Sequence, residues 1–353
     1  MFQRTITLLV GRAVGVYHRV ERRGPPLPAG PVLVVANHLN ALIDPLVIFR
    51  TAGRPTRPLA KAPLFHHPLV GPVLVGLGGL PVFRPRDDPQ LVHRNASTFD
   101  AAIEALRGGE AVQIYPEGQS HSGPSLSPLR TGAARIALEA EERAGWELGL
   151  RIVPVGLVYQ RKHLFRGSAV AVYGEPLTVG TWHDAWTSDP RAAARTLTRE
   201  IARCLAEVTL EAPSTRDRVL VETAEALHAR GRGKVRERER VSLGSRVDRL
   251  RVLARGIGRL RAGDPPRYER LRTRLERYRR LQRLLGSSDD TAVPGRYHPG
   301  RIATYASRQS ALLLLLGPLA LVATVAWWIP YHLPRLVVRL ARPALDAVST
   351  YKL

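Results

Sequence analysis

An imidazole and a carboxylate six positions apart, His38 and Asp44, stand in Asn37-His38-Leu39-Asn40-Ala41-Leu42-Ile43-Asp44-Pro45, directly after the apolar run 31–36. On a continuous helix, residues at that spacing point about 120° apart, so cooperation between them needs a turn of the chain. A strand-to-helix loop supplies one. Asp44 followed by Pro45 reads as an N-cap and a first-turn proline, which leaves His38 at the mouth of a sheet where a substrate can reach it. Taken alone, the same residues could equally do no more than cap a helix and close a loop. A second cluster, Tyr115-Pro116-Glu117-Gly118-Gln119-Ser120-His121, also follows a strand-like run, and a glycine beside a carboxylate permits close backbone approach to a ligand. Ser127 to Ala134 then opens a helix whose free amides, with the Arg130 guanidinium, could hold an anion. Arg84 and Arg86 in Val82-Phe83-Arg84-Pro85-Arg86, and Lys61, add further positive groups.

The elements that must position these residues are legible as apolar runs of strand length separated by helical patterns. Runs at 31–36, 79–83, 110–116, 150–159 and 169–177 read as strands, and 44–51, 90–106, 129–145 and 191–210 as helices. That alternation predicts an α/β domain over 25–212, a mixed and mostly buried sheet flanked by helices. In residues 1–24 the apolar Ile6, Leu9, Val10, Val14 and Val16 are interrupted by Arg12, as in an amphipathic interfacial helix. Residues 213–290 read as an arginine-rich helical hairpin. One apolar stripe runs from Leu243 to Leu260, Ala-Gly-Asp-Pro-Pro breaks the chain, and a second stripe runs from Tyr268 to Leu285. Its arginines are either a solvated face or a surface for lipid headgroups. In the C-terminal region, 291–353, the uncharged run from Ser310 to Tyr331 is long enough to be a hydrophobic membrane segment, with Trp327, Trp328 and Tyr331 where an aromatic belt would lie.

In their order, four of these blocks resemble the glycerolipid acyltransferase superfamily: NHLNALIDP, GLPVFRPRDD, YPEGQSHSGPSLSPLRTGAARIAL and IVPVGL, spanning about 31–177. Five residues between His and Asp, with Glu-Gly-x-Ser-His in the third block, are similar to the branch of yeast-type glycerol-3-phosphate and dihydroxyacetone-phosphate acyltransferases. The resemblance implies a glycerol-3-phosphate acyltransferase-like fold. It implies an O-acyltransferase that moves a fatty acyl chain from acyl-CoA, or from acyl carrier protein, to a glycerol phosphate or lysophosphatidate in phospholipid biosynthesis. His38 would be the general base toward an acceptor hydroxyl, and Asp44 would orient the ring and stabilise the imidazolium, the nucleophile belonging to the substrate. Arg84, Glu117 and Gly118 match the acceptor-binding blocks, and Lys61, Arg86 and Arg130 join them on charge. Glu117 would hold an acceptor hydroxyl or orient a neighbouring basic group. Pro154, in the fourth block, would shape the acyl-donor channel. A thioester donor carries its own activation, so no cofactor and no metal are expected.

The charge balance fits such a setting. Fifty-three basic against 30 acidic side chains give +23 over 353 residues, and Thr215 to Leu285 alone carries 22 basic and 9 acidic ones. Anionic partners follow: a phosphorylated small molecule, an anionic bilayer surface, or acyl carrier protein. Specific nucleic-acid binding is not expected, because no basic platform interleaved with aromatics is present. The single cysteine, Cys204, excludes an internal disulfide and a cysteine-rich zinc site. The expected location is the cell membrane, with the catalytic domain on its cytoplasmic face. Two other functions remain: acylation of a non-phosphorylated lipid or glycolipid alcohol and, more distantly, a basic nucleic-acid- or membrane-binding scaffold.

Overall fold

The computed structural model describes residues 14–68, 70–83, 95–160, 162, 166–231, 243–284 and 299–341. Among them, eight strands form one mixed sheet: β1 (His18–Arg23), β2 (Val32–Ala36), β3 (Thr56–Lys61), β4 (Leu80–Val82), β5 (Ala111–Ile114), β6 (Arg151–Gln160), β7 (Gly167–Tyr173) and β8 (Leu177–Thr178). The order is β1-β7-β6-β2-β5-β3-β4, with β8 paired to β6. β6, β2, β5, β3 and β4 run parallel; β7 is antiparallel to β6, and β1 is parallel to β7. The C-terminal ends of the five parallel strands therefore open on one edge, and the functional blocks follow those ends.

Both faces of the sheet are covered, as an uninterrupted apolar strand such as β2 (VLVVA, wholly buried) requires. Its side chains alternate between two cores. Val32, Val34 and Ala36 pack with Ile43, Val47 and Ile48 of α1 (Ile43–Thr51). Leu33 and Val35 face α2 (Asn95–Arg107), α3 (Gly132–Arg143) and α4 (Pro190–Val208). A Cβ at Gly156 would lie 2.1 Å from the Val208 carbonyl oxygen, so this glycine of the Val-Pro-Val-Gly run lets the end of α4 lie against β6.

The basic segment contributes α5 (Thr215–Gly231), α6 (Leu243–Gly263) and α7 (Pro265–Leu284). The hairpin is α6–α7, with the Asp264 carboxylate accepting from the Arg267 amide (2.9 Å) at the start of α7. Its stripes, including Val247, Leu250, Ile257, Tyr268 and Leu275, belong to the same buried cluster as the sheet. Two buried carboxylates of α5 bind the hairpin: Glu225 accepts from Arg246 and Arg249 (2.8 Å each), and Asp217 accepts from Arg261 (2.7 Å) and the Tyr268 hydroxyl. Glu21 of β1 accepts from the amides of Leu243 and Gly244 (3.0 Å each), satisfying the first turn of α6 with a carboxylate where the helix dipole favours one.

Three expectations need correction. The interfacial helix over 1–24 does not extend through 18–23, which is β1; residues 1–13 lie outside the described ones. His18 and Val14 are fully buried, so strand pairing and core burial outweigh the helical pattern there. β3, with Arg57 and Pro58 inside it and Lys61 at its end, has no strand-like alternation and was not expected. The run from Ser310 to Tyr331 is divided between α8 (Pro299–Ala326) and α9 (Trp328–Ala341). Its longest uncharged piece within one helix, 310–326, contains Pro318 and would measure about 25 Å as an ideal helix, against a hydrocarbon core of roughly 30 Å. Among the described residues no helix is long and apolar enough to cross a membrane.

Candidate active site

The chain turns between His38 and Asp44 as their cooperation requires. Helix α1 begins at Ile43, so Asp44 lies within its first turn instead of capping it. The carboxylate reaches back over the preceding loop. Oδ2 accepts from His38 Nδ1 (2.8 Å) and from the amides of Leu39 (2.7 Å) and Asn40 (2.8 Å), and Oδ1 accepts from the Tyr159 hydroxyl (2.5 Å). A carboxylate surrounded by donors requires the hydrogen on Nδ1, which leaves Nε2 as the unprotonated nitrogen of the ring. The ring stacks on Tyr115 at 4.3 Å, and 11% of the side chain reaches the surface.

Asn37 locks this loop to the sheet. Its amide donates to the Leu157 carbonyl (3.1 Å) and its carbonyl accepts from the Leu157 amide (2.6 Å). The Lys162 ammonium donates to the Leu39 carbonyl and to the Ser122 hydroxyl, both at 2.8 Å, tying the first block to the third. Neither Asn37 nor Lys162, Tyr115 or Tyr159 was singled out from the sequence for these contacts. Asn37, Tyr115 and Tyr159 carried a signal, the first by standing beside His38, the second by opening the Glu117 block and the third by ending the fourth-block strand.

Glu117 is buried and engaged from within. Oε1 accepts from the His38 amide (2.9 Å), while Oε2 accepts from the Ser127 amide (2.7 Å) and meets His121 Nε2 at 2.5 Å. His121 Nδ1 accepts from the Gly123 amide (2.9 Å), so its hydrogen sits on Nε2 and points at Glu117. These bonds are those of a carboxylate that orients a neighbouring basic group, here His121. Gly118 has φ +74°, and a Cβ there would lie 2.8 Å from Arg130 Nε. The glycine thus serves both the left-handed turn and the passage of the exposed Arg130 guanidinium over it.

Lys61 ends β3 on the same sheet edge, two strands and so about 10 Å from β2. It pairs in register with Val82 of β4. Arg84 and Arg86 follow β4 but lie outside the described residues. Pro154 sits inside β6 opposite Val35, with Gly174 close to its ring, and so is packed within the sheet rather than at its mouth. No cluster of three metal-ligating side chains occurs among the described residues. Burial pushes the Cys204 thiol up to about 11, so it is not a thiolate near neutral pH.

An imidazole with one nitrogen on a buried carboxylate, and no hydrogen bond to the other among the described residues, has the geometry of a general base for an alcohol. Residues 18–158 match the Acyltransferase family. Over that stretch the chain is similar to the acyltransferase family. The glycerol-3-phosphate O-acyltransferase 2 of Saccharomyces cerevisiae is 35% identical over 135 residues, 38% of this chain and 18% of that protein. The 1-acyl-sn-glycerol-3-phosphate acyltransferase of Borreliella burgdorferi is 29% identical over 146 residues, 40% of this chain and 53% of that one. The lyso-ornithine lipid O-acyltransferase of Pseudomonas aeruginosa is 31% identical over 134 residues, 38% of this chain and 45% of that one. The chain thus spans no more than about half the length of these relatives. Their shared chemistry is acyl transfer to a hydroxyl of a lipid or lipid precursor, and their acceptors differ.

Proposed function

We propose that this acyltransferase moves a fatty acyl chain from acyl-CoA or acyl carrier protein to a hydroxyl of glycerol phosphate or lysophosphatidate. The observation that carries the proposal is the His38–Asp44 pair at the sheet edge, with no hydrogen bond to Nε2 among the described residues. The acceptor oxygen attacks the thioester carbon as its proton passes to Nε2; a C–O bond forms and the C–S bond breaks. The imidazolium, balanced by Asp44, then returns the proton to the leaving thiolate. The acceptor phosphate needs a guanidinium fork or several amides. Arg130 over the Gly118 turn supplies one candidate and Lys61 at the end of β3 another; Arg84, outside the described residues, is the third on its sequence block alone.

The same proposal takes in the setting. The exposed leucines of α8 and the outward arginines of α7 suit attachment to an anionic bilayer, and water-soluble donors suit a cytoplasmic face. The likeness to a lyso-ornithine lipid acyltransferase favours one second function, acylation of a phosphate-free lipid alcohol. The test is to offer labelled acyl-CoA with glycerol 3-phosphate, dihydroxyacetone phosphate, lysophosphatidate and lyso-ornithine lipid in turn. Turnover with a phosphorylated acceptor that disappears in His38→Ala is expected. Turnover confined to lyso-ornithine lipid would move the function to the phosphate-free class, and wild-type turnover in His38→Ala would end the mechanism.

A further inference from the structure

The acyl-transfer mechanism uses one oxygen of Asp44 and leaves the other to Tyr159. This tyrosine stands at the C-terminal end of β6, 115 residues from its partner in sequence. Its hydroxyl donates to Oδ1 at 2.5 Å while Oδ2 faces His38 and two amides. Among the described residues no backbone amide takes the place of that donor on Oδ1. The tyrosine ring is itself held, with the buried His18 ring edge-on to it at 5.8 Å.

We propose that Tyr159 is a positioning residue of the acyltransferase, fixing the Asp44 carboxylate and limiting the charge that carboxylate presents to the His38 ring. The proposal rests on His38 acting as general base. A hydrogen bond on Oδ1 draws carboxylate charge away from Oδ2, so the imidazolium is stabilised less and the ring stays available as a base. Burial, then the adjoining Asp44 charge, push the Tyr159 hydroxyl well above its ordinary value, so it remains a donor across the working pH range. Burial lowers His18, which keeps that ring neutral beside the pair. The other titratable groups around the site are Tyr115 stacked on His38, Glu117 on the His38 amide and Lys162 on the Leu39 carbonyl, and none of them reaches Oδ1.

The experiment is a histidine-selective nitrogen–proton NMR titration of the full chain, with His38 assigned by His38→Ala, alongside kcat and KM for acyl transfer against pH. In Tyr159→Phe the His38 midpoint should rise by about half a pH unit or more, and the acidic limb of kcat/KM should move with it. KM should change less than kcat. In an Asp44→Asn background Tyr159→Phe should add no shift. Site-specific 3-fluorotyrosine at 159, a stronger donor with the same ring, should move the midpoint the other way, and it decides the matter if Tyr159→Phe does not fold. An unmoved midpoint in a folded Tyr159→Phe, an equal shift without Asp44, or no movement with 3-fluorotyrosine overturns the proposal. The titration needs no substrate, so a failure to transfer acyl groups to any acceptor counts against the proposed function and leaves the role of Tyr159 to be judged by the midpoint.

Discussion

Asp44 accepts four hydrogen bonds with two oxygens, and in an asparagine the donors that face the amide nitrogen lose their partner, either the Tyr159 hydroxyl or His38 with the amides of Leu39 and Asn40. Asp44→Asn should therefore lower kcat by roughly 10³–10⁴-fold, as when a histidine loses its orienting carboxylate in a triad, with the fold retained by circular dichroism. Glu117 makes a separable prediction. In Glu117→Gln an N–H₂ must face the Ser127 amide, the His38 amide or the His121 ring, leaving a buried donor unsatisfied. Urea unfolding should show a loss of about 1–3 kcal/mol. The residue types of this site were visible in the sequence, because His38, Asp44 and Glu117 stand in short blocks beside Pro or Gly. Their division of labour was not. The partners of Asp44 include Tyr159 on another strand, and the three bonds of Glu117 run to a block far upstream and to its own loop. Such contacts depend on which strands become neighbours, and no local pattern encodes that.

At the scale of the element, the turn after β5 is built around a left-handed glycine. Gly118→Ala would strain that turn and drive a methyl group into the Arg130 side chain. Steady-state kinetics should show the KM for a phosphorylated acceptor rising severalfold with a smaller change in kcat; an unaltered KM would remove Arg130 from acceptor binding. The α5–α7 layer makes a pH prediction. Burial alone would raise the Asp217 carboxyl, but bonds from Tyr268, Ser214 and Arg261 outweigh it and hold the group below its ordinary value of 3.8. A carboxyl lowered on folding contributes stability that is complete above that ordinary value and is lost as pH falls through the folded one. Hydrogen exchange in α7 should accordingly be pH-independent in its protection down to about pH 4 and loosen below it, and Asp217→Asn should abolish the dependence. The apolar strands β2, β5, β6 and β7 were legible as runs. β1 and β3 were not, since arginines, a proline and a lysine interrupt them and only their pairing with β7 and β5 makes them strands.

For the whole molecule, the charge of +23 and the exposed leucines of α8 together predict how it partitions. Vesicles containing an anionic phospholipid should sediment the protein, neutral vesicles should do so less, and added salt should weaken the first more than the second. A chain ending at residue 298 should lose the salt-resistant part of the binding. Equal sedimentation with both vesicle types would leave the arginines without a role at the bilayer. The N-terminal strand carries another consequence. β1 pairs with β7 and its Glu21 meets the start of α6, a separation of 222 residues. On the ribosome, residues 18–23 must therefore wait without a strand partner for residues about 149 positions further on, and the edge of the sheet closes only after the four sequence blocks have been made.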